Sequence, residues 1–322
     1  MIYRFQFRSY RRKFVRSLTT NHGKWDIREG IILRLTDETL RVGWGEIAPI
    51  SWFGSETLEQ ALDFCRQLPE EITDEMIFSI ADELPACQFG FESAYEWGSE
   101  FFSIPNTQFF SGLLPAGEAA LNQWETLWQQ GYRTFKWKIG VDAIANELKI
   151  FESLIHTLPA FTKLRLDANG GLSYEETNLW LRTCDNLKAN GELTLEIEFI
   201  EQPLPVEQFQ QMLELSRSYE TAIALDESVA TLRQLAACYQ QGWRGIFVIK
   251  PGIVGSPSRL RKFCHQHEID TVFSSVFETA IARKASLQLA AELSRNNRAI
   301  GFGIDHFFEQ EETWFQSLWN DL

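Results

Sequence analysis

The chain has 322 residues, 44% of them hydrophobic and 11 of them tryptophan, which is the make-up of a filled globular core and excludes a disordered chain. A formal charge of −14 excludes the concentrated basic face that a nucleic-acid partner would need. The five cysteines, Cys65, Cys87, Cys184, Cys238 and Cys264, include no Cys-x-x-Cys pair, which argues against a disulfide framework or a zinc site and suits a reducing cytoplasm.

Residues 3–10 alternate aromatic and polar, the period-two pattern of a half-buried strand. The basic cluster at 8–16 interleaves with Tyr10 and Phe14 and reads as strand and loop surface, part of it able to face an anionic substrate. Residues 30–35 and 40–45 flank a Thr36-Asp-Glu turn and read as a hairpin. Residues 57–65 and the stretch after Thr73 have helical spacing, with Thr57 placed to cap the first helix. Gly43-x-Gly45 and Gly252-x-x-Gly255 read as loop or turn glycines, not as a nucleotide fingerprint. No apolar run approaches the ~20 residues of a membrane span, and no signal-peptide core follows the basic start. A soluble, cytoplasmic protein with no membrane partner is expected, and nothing in the pattern selects a monomer over a homo-oligomer.

From about Arg133 the rhythm changes. Short apolar strands are expected at 133–139, 163–167, 195–201, 222–226, 246–250, 271–275 and 299–303, separated by helical patterns at 175–183, 206–219, 231–241, 256–267 and 283–294. Repeated strand–helix units imply a parallel sheet, and this many imply a closed (β/α) barrel. Lys136 and Lys138 share one strand face, as do Arg165 and Asp167, while Asp226 follows Ala222 and Ala224 and Lys250 follows Ile246 and Val248. Polar groups therefore stand at the C-terminal strand ends above small or apolar inward residues, which is where barrels carry catalysis.

Asp167, Glu201 and Asp226 end three successive strands. Three buried like charges repel unless a cation balances them, and an oxygen-only donor set suits Mg²⁺, with Mn²⁺ as a possible substitute. Lys138 and Lys250 flank that set, and a lysine beside other cations can serve as a base near neutrality. Glu196, Glu198 and Glu201 crowd one strand, and strand parity alone does not choose among them. Ser274 and Ser275 end the strand after Lys250, where their hydroxyls could bond a substrate carboxylate or cap a helix. His265-Gln-His267 precedes a strand, at the end of the barrel opposite the site. Trp52 and Phe53 could close an apolar lid, and first-domain loops around 19–24 and 50–53 are expected to contribute to the pocket.

Residues 130–305 resemble the barrel of the enolase superfamily, in its muconate-lactonising subgroup. The motifs are Lys136-Trp-Lys138, Leu164-Arg-Leu-Asp167-Ala-Asn169, Ile200-Glu201-Gln-Pro203, Leu225-Asp226-Glu-Ser228 and Ile249-Lys250-Pro251. The stretches Gly43-Trp-Gly-Glu-Ile-Ala-Pro and Pro85-Ala-Cys-Gln-Phe-Gly-Phe-Glu resemble its capping domain. The resemblance implies a modified TIM barrel of the (β/α)7β type at 99–304, an α+β capping domain at 1–98, and a C-terminal segment, 305–322, packing back on the cap. It also picks Glu201, through the Glu-Gln-Pro match, as the third metal ligand beside Asp167 and Asp226. The implied partner is a small-molecule carboxylate. The implied reaction is Mg²⁺-dependent dehydration of 2-succinyl-6-hydroxy-2,4-cyclohexadiene-1-carboxylate to 2-succinylbenzoate, in menaquinone and phylloquinone biosynthesis. Lys138 would be base and then acid, Lys250 would stay charged, Lys136 and Arg165 would add positive field, and Asn169 would assist beside the metal. Racemisation of N-acylamino acids, epimerisation of dipeptides, muconate cycloisomerisation and non-catalytic carboxylate binding are the alternatives. Dipeptide epimerases of this group carry Asp-x-Asp after the last strand, and here Gly303-Ile-Asp305-His306 has one Asp.

Overall fold

The computed structural model describes residues 1–20, 23–98, 107–191, 193–303, 308 and 311–320. Alternation in the first 47 residues yields two long antiparallel strands, β1 (Ile2–Thr20) and β2 (Gly23–Asp37), and a shorter one, β3 (Val42–Ile47). With β4 (Glu71–Thr73) they form one sheet in the order β3-β2-β1-β4. The turn into β3 is fixed by the Asp37 carboxylate, which accepts the backbone N–H of Thr39 at 2.8 Å and of Arg41 at 3.0 Å. Tyr3, Phe5, Ile31, Leu33 and Ile47 bury one face of the sheet against the helix Pro85–Glu96. Gly43 and Gly45 lie within β3, not in a loop. A Cβ on either would stand 2.0 Å from a carbonyl oxygen of that helix, Ala94 or Gly90, so they are what lets helix and sheet touch.

The second sheet is parallel throughout: β5 (Ser111–Leu113), β6 (Thr134–Lys138), β7 (Lys163–Asp167), β8 (Glu196–Glu201), β9 (Ile223–Leu225), β10 (Ile246–Ile249) and β11 (Asp270–Phe273) pair in chain order. The segment at 300–301 joins its two edges. Ser111 N–H donates to the Ile300 carbonyl (2.9 Å) and Gly301 N–H to the Phe273 carbonyl (2.7 Å), with parallel bridges Phe110–Ile300 and Ser274–Gly301. The curled sheet is thereby a ring with an eighth strand position, a modified TIM barrel beneath an antiparallel cap. Strand β5 is absent from the sequence expectation because Ser-Gly-Leu is too short to carry a period.

Strand alternation sorts the barrel's side chains. Phe199, Ala224, Ile246, Val248 and Val272 fill the interior, and the opposite faces pack on the surrounding helices in a separate core that includes Phe135, Trp137 and Trp180. A register shift between β7 and β8 pairs Leu164 with Ile197 and Arg165 with Phe199, which leaves Glu198 as an inserted residue. Glu198 is thereby turned onto Arg165, whose Nε donates at 2.6 Å. Arg298 completes the network, bonding Glu198 at 2.7 Å and Asp270 at 2.6 Å.

Carboxylates also join the cap to the barrel. Glu46, on β3 and fully buried, accepts N–H bonds from Thr279 and Ala282 at the start of the helix Ala280–Leu293, and takes the Tyr10 hydroxyl at 2.5 Å. Glu92 accepts from Ser258 N–H at 2.9 Å and Gln88 from Ser256 N–H at 3.1 Å, at the start of Pro257–Gln266. The C-terminal helix Glu311–Asn320 lies against the cap, where Phe315 and Trp319 meet the Trp44 ring edge-on and the Arg34 guanidinium stands 5.0 Å from Trp319.

Burial opposes ionisation of Glu198 and Asp270, but their arginines outweigh it and hold both carboxyls below their usual values of 4.5 and 3.8. Their stabilisation is thus fully present above those values and is lost as pH falls through the lower folded ones. Urea unfolding between about pH 2.5 and 7 should show a steep acid limb for the wild type and a shallower one for Glu198→Gln. At neutral pH, stranding buried Arg165 should cost that variant about 3–5 kcal/mol.

Candidate active site

Lys136 and Lys138 are inward positions of β6, opposite Arg165 and Asp167 in the register. Their Trp137 neighbour faces the helices and is fully buried. Lys250 follows β10, four strand positions away around an eight-position ring, so Lys138 and Lys250 face each other across the barrel mouth. Between them stand the carboxylates that end β7 and β8 and follow β9: Asp167, Glu201 and Asp226, respectively 7%, 2% and 3% exposed.

The three lysines are not in equivalent states. Lys136 Nζ lies 2.8 Å from Asp167 Oδ2 and 2.7 Å from Glu201 Oε1. Lys250 Nζ is paired with Asp226 Oδ1 and stands 4.0 Å over the Phe53 ring. Lys138 lines the cleft and makes no hydrogen bond or ion pair among the described residues. Burial opposes charge on Lys136, but Asp167 and Glu201 outweigh it and raise its affinity for the proton. Burial is the main cause that lifts the carboxyls of Asp167, Glu201 and Asp226 above their usual values. Neighbouring acids add to the rise, and the ammonium groups of Lys136 and Lys250 act against it.

A cation fits this donor set. The side chains offer oxygens only, from three adjoining strand ends, and the ammonium of Lys136 already stands as a cation between two of them. With the lysines inserted in this way, no three acidic, histidine or cysteine side chains ring a single point among the described residues.

Two residues beside the carboxylates escape a reading by residue type. Gln202 is fully buried with φ of +37°. Its oxygen accepts the N–H of Asp226 (3.0 Å) and Ser228 (3.2 Å), and its amide donates to the Ser228 hydroxyl (2.8 Å). It thus holds the loop that carries Asp226. Glu227 lines the cleft and accepts from Asn169 Nδ2 at 3.0 Å, and its other oxygen is buried without a partner among the described residues. The signal for both was present only as flanking letters of the Glu201-Gln-Pro and Asp226-Glu-Ser motifs.

Above the charges lies a cleft of about 1390 Å³, open to solvent and walled by Trp25, Trp52, Phe53, Phe277, Leu18 and Ile50. Lys136, Lys138, Asp167, Asn169, Asp226, Lys250, Ser274 and Ser275 all reach it. Glu201 lies beneath, behind Lys136. Arg165 is corrected: it is not at the substrate cleft but 1% exposed within the barrel, bound to Glu198, because it sits two residues below the strand end. The Ser275 hydroxyl is likewise engaged. It donates to Glu278 at 2.6 Å and accepts the Phe277 N–H at 2.8 Å, shaping a turn in which Phe277 has φ of +59°. The Ser274 hydroxyl has no hydrogen-bond partner among the described residues. His267 packs against Tyr239 and Phe263 with tilted rings, centroids 4.4 and 4.6 Å away. Of the loop expectation at 19–24, residues 21 and 22 lie outside the described residues, as do 304–307 with Asp305.

Two family models match, Enolase C-terminal domain-like over residues 119–318 and MenC, N-terminal domain, over 2–97. The o-succinylbenzoate synthase of Thermosynechococcus vestitus is 42% identical over 325 residues, covering 99% of each chain. The crystal structure of an o-succinylbenzoate synthase from Thermosynechococcus elongatus BP-1, complexed with Mg in the active site, superposes with a TM-score of 0.88 at 39% identity, covering 99% of this chain and 100% of that one. A substrate-liganded L-Ala-D/L-Glu epimerase from Bacillus subtilis shares the fold, with a TM-score of 0.79 at 20% identity over 96% of this chain and 92% of that one.

Replacing Gln202 by leucine keeps the volume but strands the buried N–H groups of the Asp226 loop. Each stranded group costs roughly 1–3 kcal/mol, so Gln202→Leu should lower the thermal midpoint by several degrees in calorimetry. A midpoint equal to that of the wild type would show that the loop holds itself.

Proposed function

The chain belongs to the enolase superfamily, in its o-succinylbenzoate synthase branch, and from this premise we infer that it is a lyase converting 2-succinyl-6-hydroxy-2,4-cyclohexadiene-1-carboxylate to 2-succinylbenzoate and water, a step toward menaquinone and phylloquinone. The observation that carries the assignment of roles is the unequal engagement of the lysines. Lys136 and Lys250 are tied to carboxylates, whereas Lys138 faces the cleft without a partner among the described residues.

Lys138, as the free amine, takes the proton from the ring carbon that bears the carboxylate. The released electron pair spreads into that carboxylate, then drives out the neighbouring ring hydroxyl as the C–O bond breaks. Lys138 returns the same proton to the departing oxygen, water leaves and the ring becomes aromatic. One lysine on one face therefore suffices. Lys250, over the Phe53 ring on the other face of the cleft, would face the growing negative charge as a cation, and Lys136 adds to that field from below. Asn169, tied to Glu227, would orient the same carboxylate, and the Ser274 hydroxyl would receive the remote carboxylate of the succinyl arm. The apolar walls of the cleft offer surface to the ring.

Asp167, Glu201 and Asp226 are the residues that would hold Mg²⁺, or Mn²⁺ as a substitute, once their lysine contacts rearrange. The bound ion would supply Lewis-acid neutralisation of the substrate carboxylate. Racemisation would require Lys250 to move a proton as well as Lys138.

Chelation should abolish turnover and Mg²⁺ should restore it. The ion should also raise the thermal midpoint of the wild type, because it relieves the mutual repulsion of buried acids, and this rise should vanish in Asp226→Asn. Full activity of the chelated protein would overturn the metal assignment.

Lys138→Ala should lose about 10²–10⁴-fold in rate, the usual range for a general base, followed as loss of the diene's ultraviolet absorbance. Lys250→Ala should also be slow, yet it should still exchange the α-proton of a 2-succinylcyclohexane-type carboxylate with deuterium in NMR. Exchange by Lys138→Ala but not by Lys250→Ala would reverse the two roles. Faster epimerisation of a dipeptide than dehydration of the diene would displace the dehydratase reading.

A further inference from the structure

The pairing of β1 with β2 breaks between Lys13 and Leu18. Beyond the break the sheet no longer fixes the hairpin by a continuous ladder, yet Leu18 and Trp25, which pair across it, both wall the cleft. Phe14 lies at the break, is 3% exposed and is not among the residues that reach the cleft. Its ring meets Trp25 and Phe277 edge-on at 5.2 and 5.7 Å, and the Phe308 ring at 5.0 Å with the planes tilted by 34°. Trp25 in turn meets Phe277 at 5.7 Å and Trp52 at 5.1 Å. On the far side, the buried Arg12 guanidinium stands 4.4 Å from the Phe308 ring and 4.5 Å from the Trp314 ring. A chain of rings thus runs from the C-terminal helix to the cleft wall.

We propose that Phe308 and Trp314 are a brace for the cleft, in which the two, clasping Arg12, position Phe14 and through it the Trp25–Phe277 wall, and so set substrate affinity without touching substrate. The physical basis is directional. The Arg12 guanidinium over the Phe308 ring and the edge-to-face contacts of Phe14 with Trp25 and Phe277 favour particular orientations, so Phe308, packed on Phe14, limits how Phe14 and the hairpin beyond the ladder break can shift. Phe308, Trp314, Arg12 and Phe14 are positioning residues on this account, and the lysines and carboxylates below do not depend on them. The affinity clause rests on the reading that the cleft takes the cyclohexadiene carboxylate.

The test uses the full chain carrying Phe308→Ala, with Phe308→Leu in its place if that variant does not fold, and Phe308→Tyr as the conservative control. In ligand-free protein, hydrogen–deuterium exchange of residues 14–27 should accelerate about tenfold or more while peptides covering 134–138 and 163–167 keep their protection. With the diene and Mg²⁺, KM should rise about five- to twentyfold with kcat within about twofold, and Phe308→Tyr should restore both readouts. Unchanged exchange at 14–27, or a uniform acceleration through the barrel, would overturn the brace. Local acceleration with an unchanged KM, in a protein whose wild type turns the diene over, would overturn its role in affinity. A wild type that does not accept the diene would instead refute the substrate reading, and the exchange pattern alone would then decide the brace.

Discussion

Buried charge at the barrel mouth is the constraint to which the rest of the structure answers. Four carboxylates, Asp167, Glu201, Asp226 and Glu227, stand there with little solvent, and each is pushed toward its neutral form by burial. Such a group is tolerable only with cations in contact. Two of the three lysines at the mouth serve that need directly. The third, Lys138, is left to face the cleft. A divalent ion in the same place would do with one particle what Lys136 does in part.

Holding this arrangement requires rigid supports. Below it, Arg165, Glu198, Arg298 and Asp270 form a second, nearly closed set of charges, so the barrel is packed by apolar side chains in the middle and by ion pairs toward its lower end. Beside it, the chain turns sharply after the strand ends: Asn169, Gln202 and Phe277 all take positive φ, at +44°, +37° and +59°. Non-glycine residues reach that region only when their surroundings over-determine it. For Gln202 the surroundings are visible as the hydrogen bonds to the Asp226 loop, which convert backbone strain into a fixed position for a carboxylate.

The cap is joined to the barrel by the same chemistry turned to another use. Glu46 and Glu92 accept the unpaired N–H groups at the starts of two barrel helices, satisfying donors that a helix cannot satisfy itself. Cap and barrel therefore share hydrogen bonds as well as apolar surface. The aromatic wall of the cleft draws on both, with Trp25, Trp52 and Phe53 from the cap and Phe277 from the barrel.

Much of this was legible before folding because strands have a period of two. Lys136 with Lys138, and Asp226 above Ala224, share a face for reasons contained in three letters of sequence, and turn residues after each strand mark where the chain leaves the barrel. What only the tertiary structure decided depends on a partner far along the chain. The bulge at Glu198 turns that residue onto Arg165 and leaves Glu201 at the mouth, where an unbroken alternation would have set them on opposite faces. Arg165, expected at the substrate, is claimed by Glu198, and the Ser275 hydroxyl by Glu278. Gly43 and Gly45 look like turn residues until a helix lies on them. Arg12, an exposed base by its neighbours, is buried between rings almost three hundred positions later. Local pattern thus set which residues line up along a strand, because backbone geometry repeats every two residues. Which of them remain free for chemistry was set by charge and packing partners that only the closed barrel brings within reach.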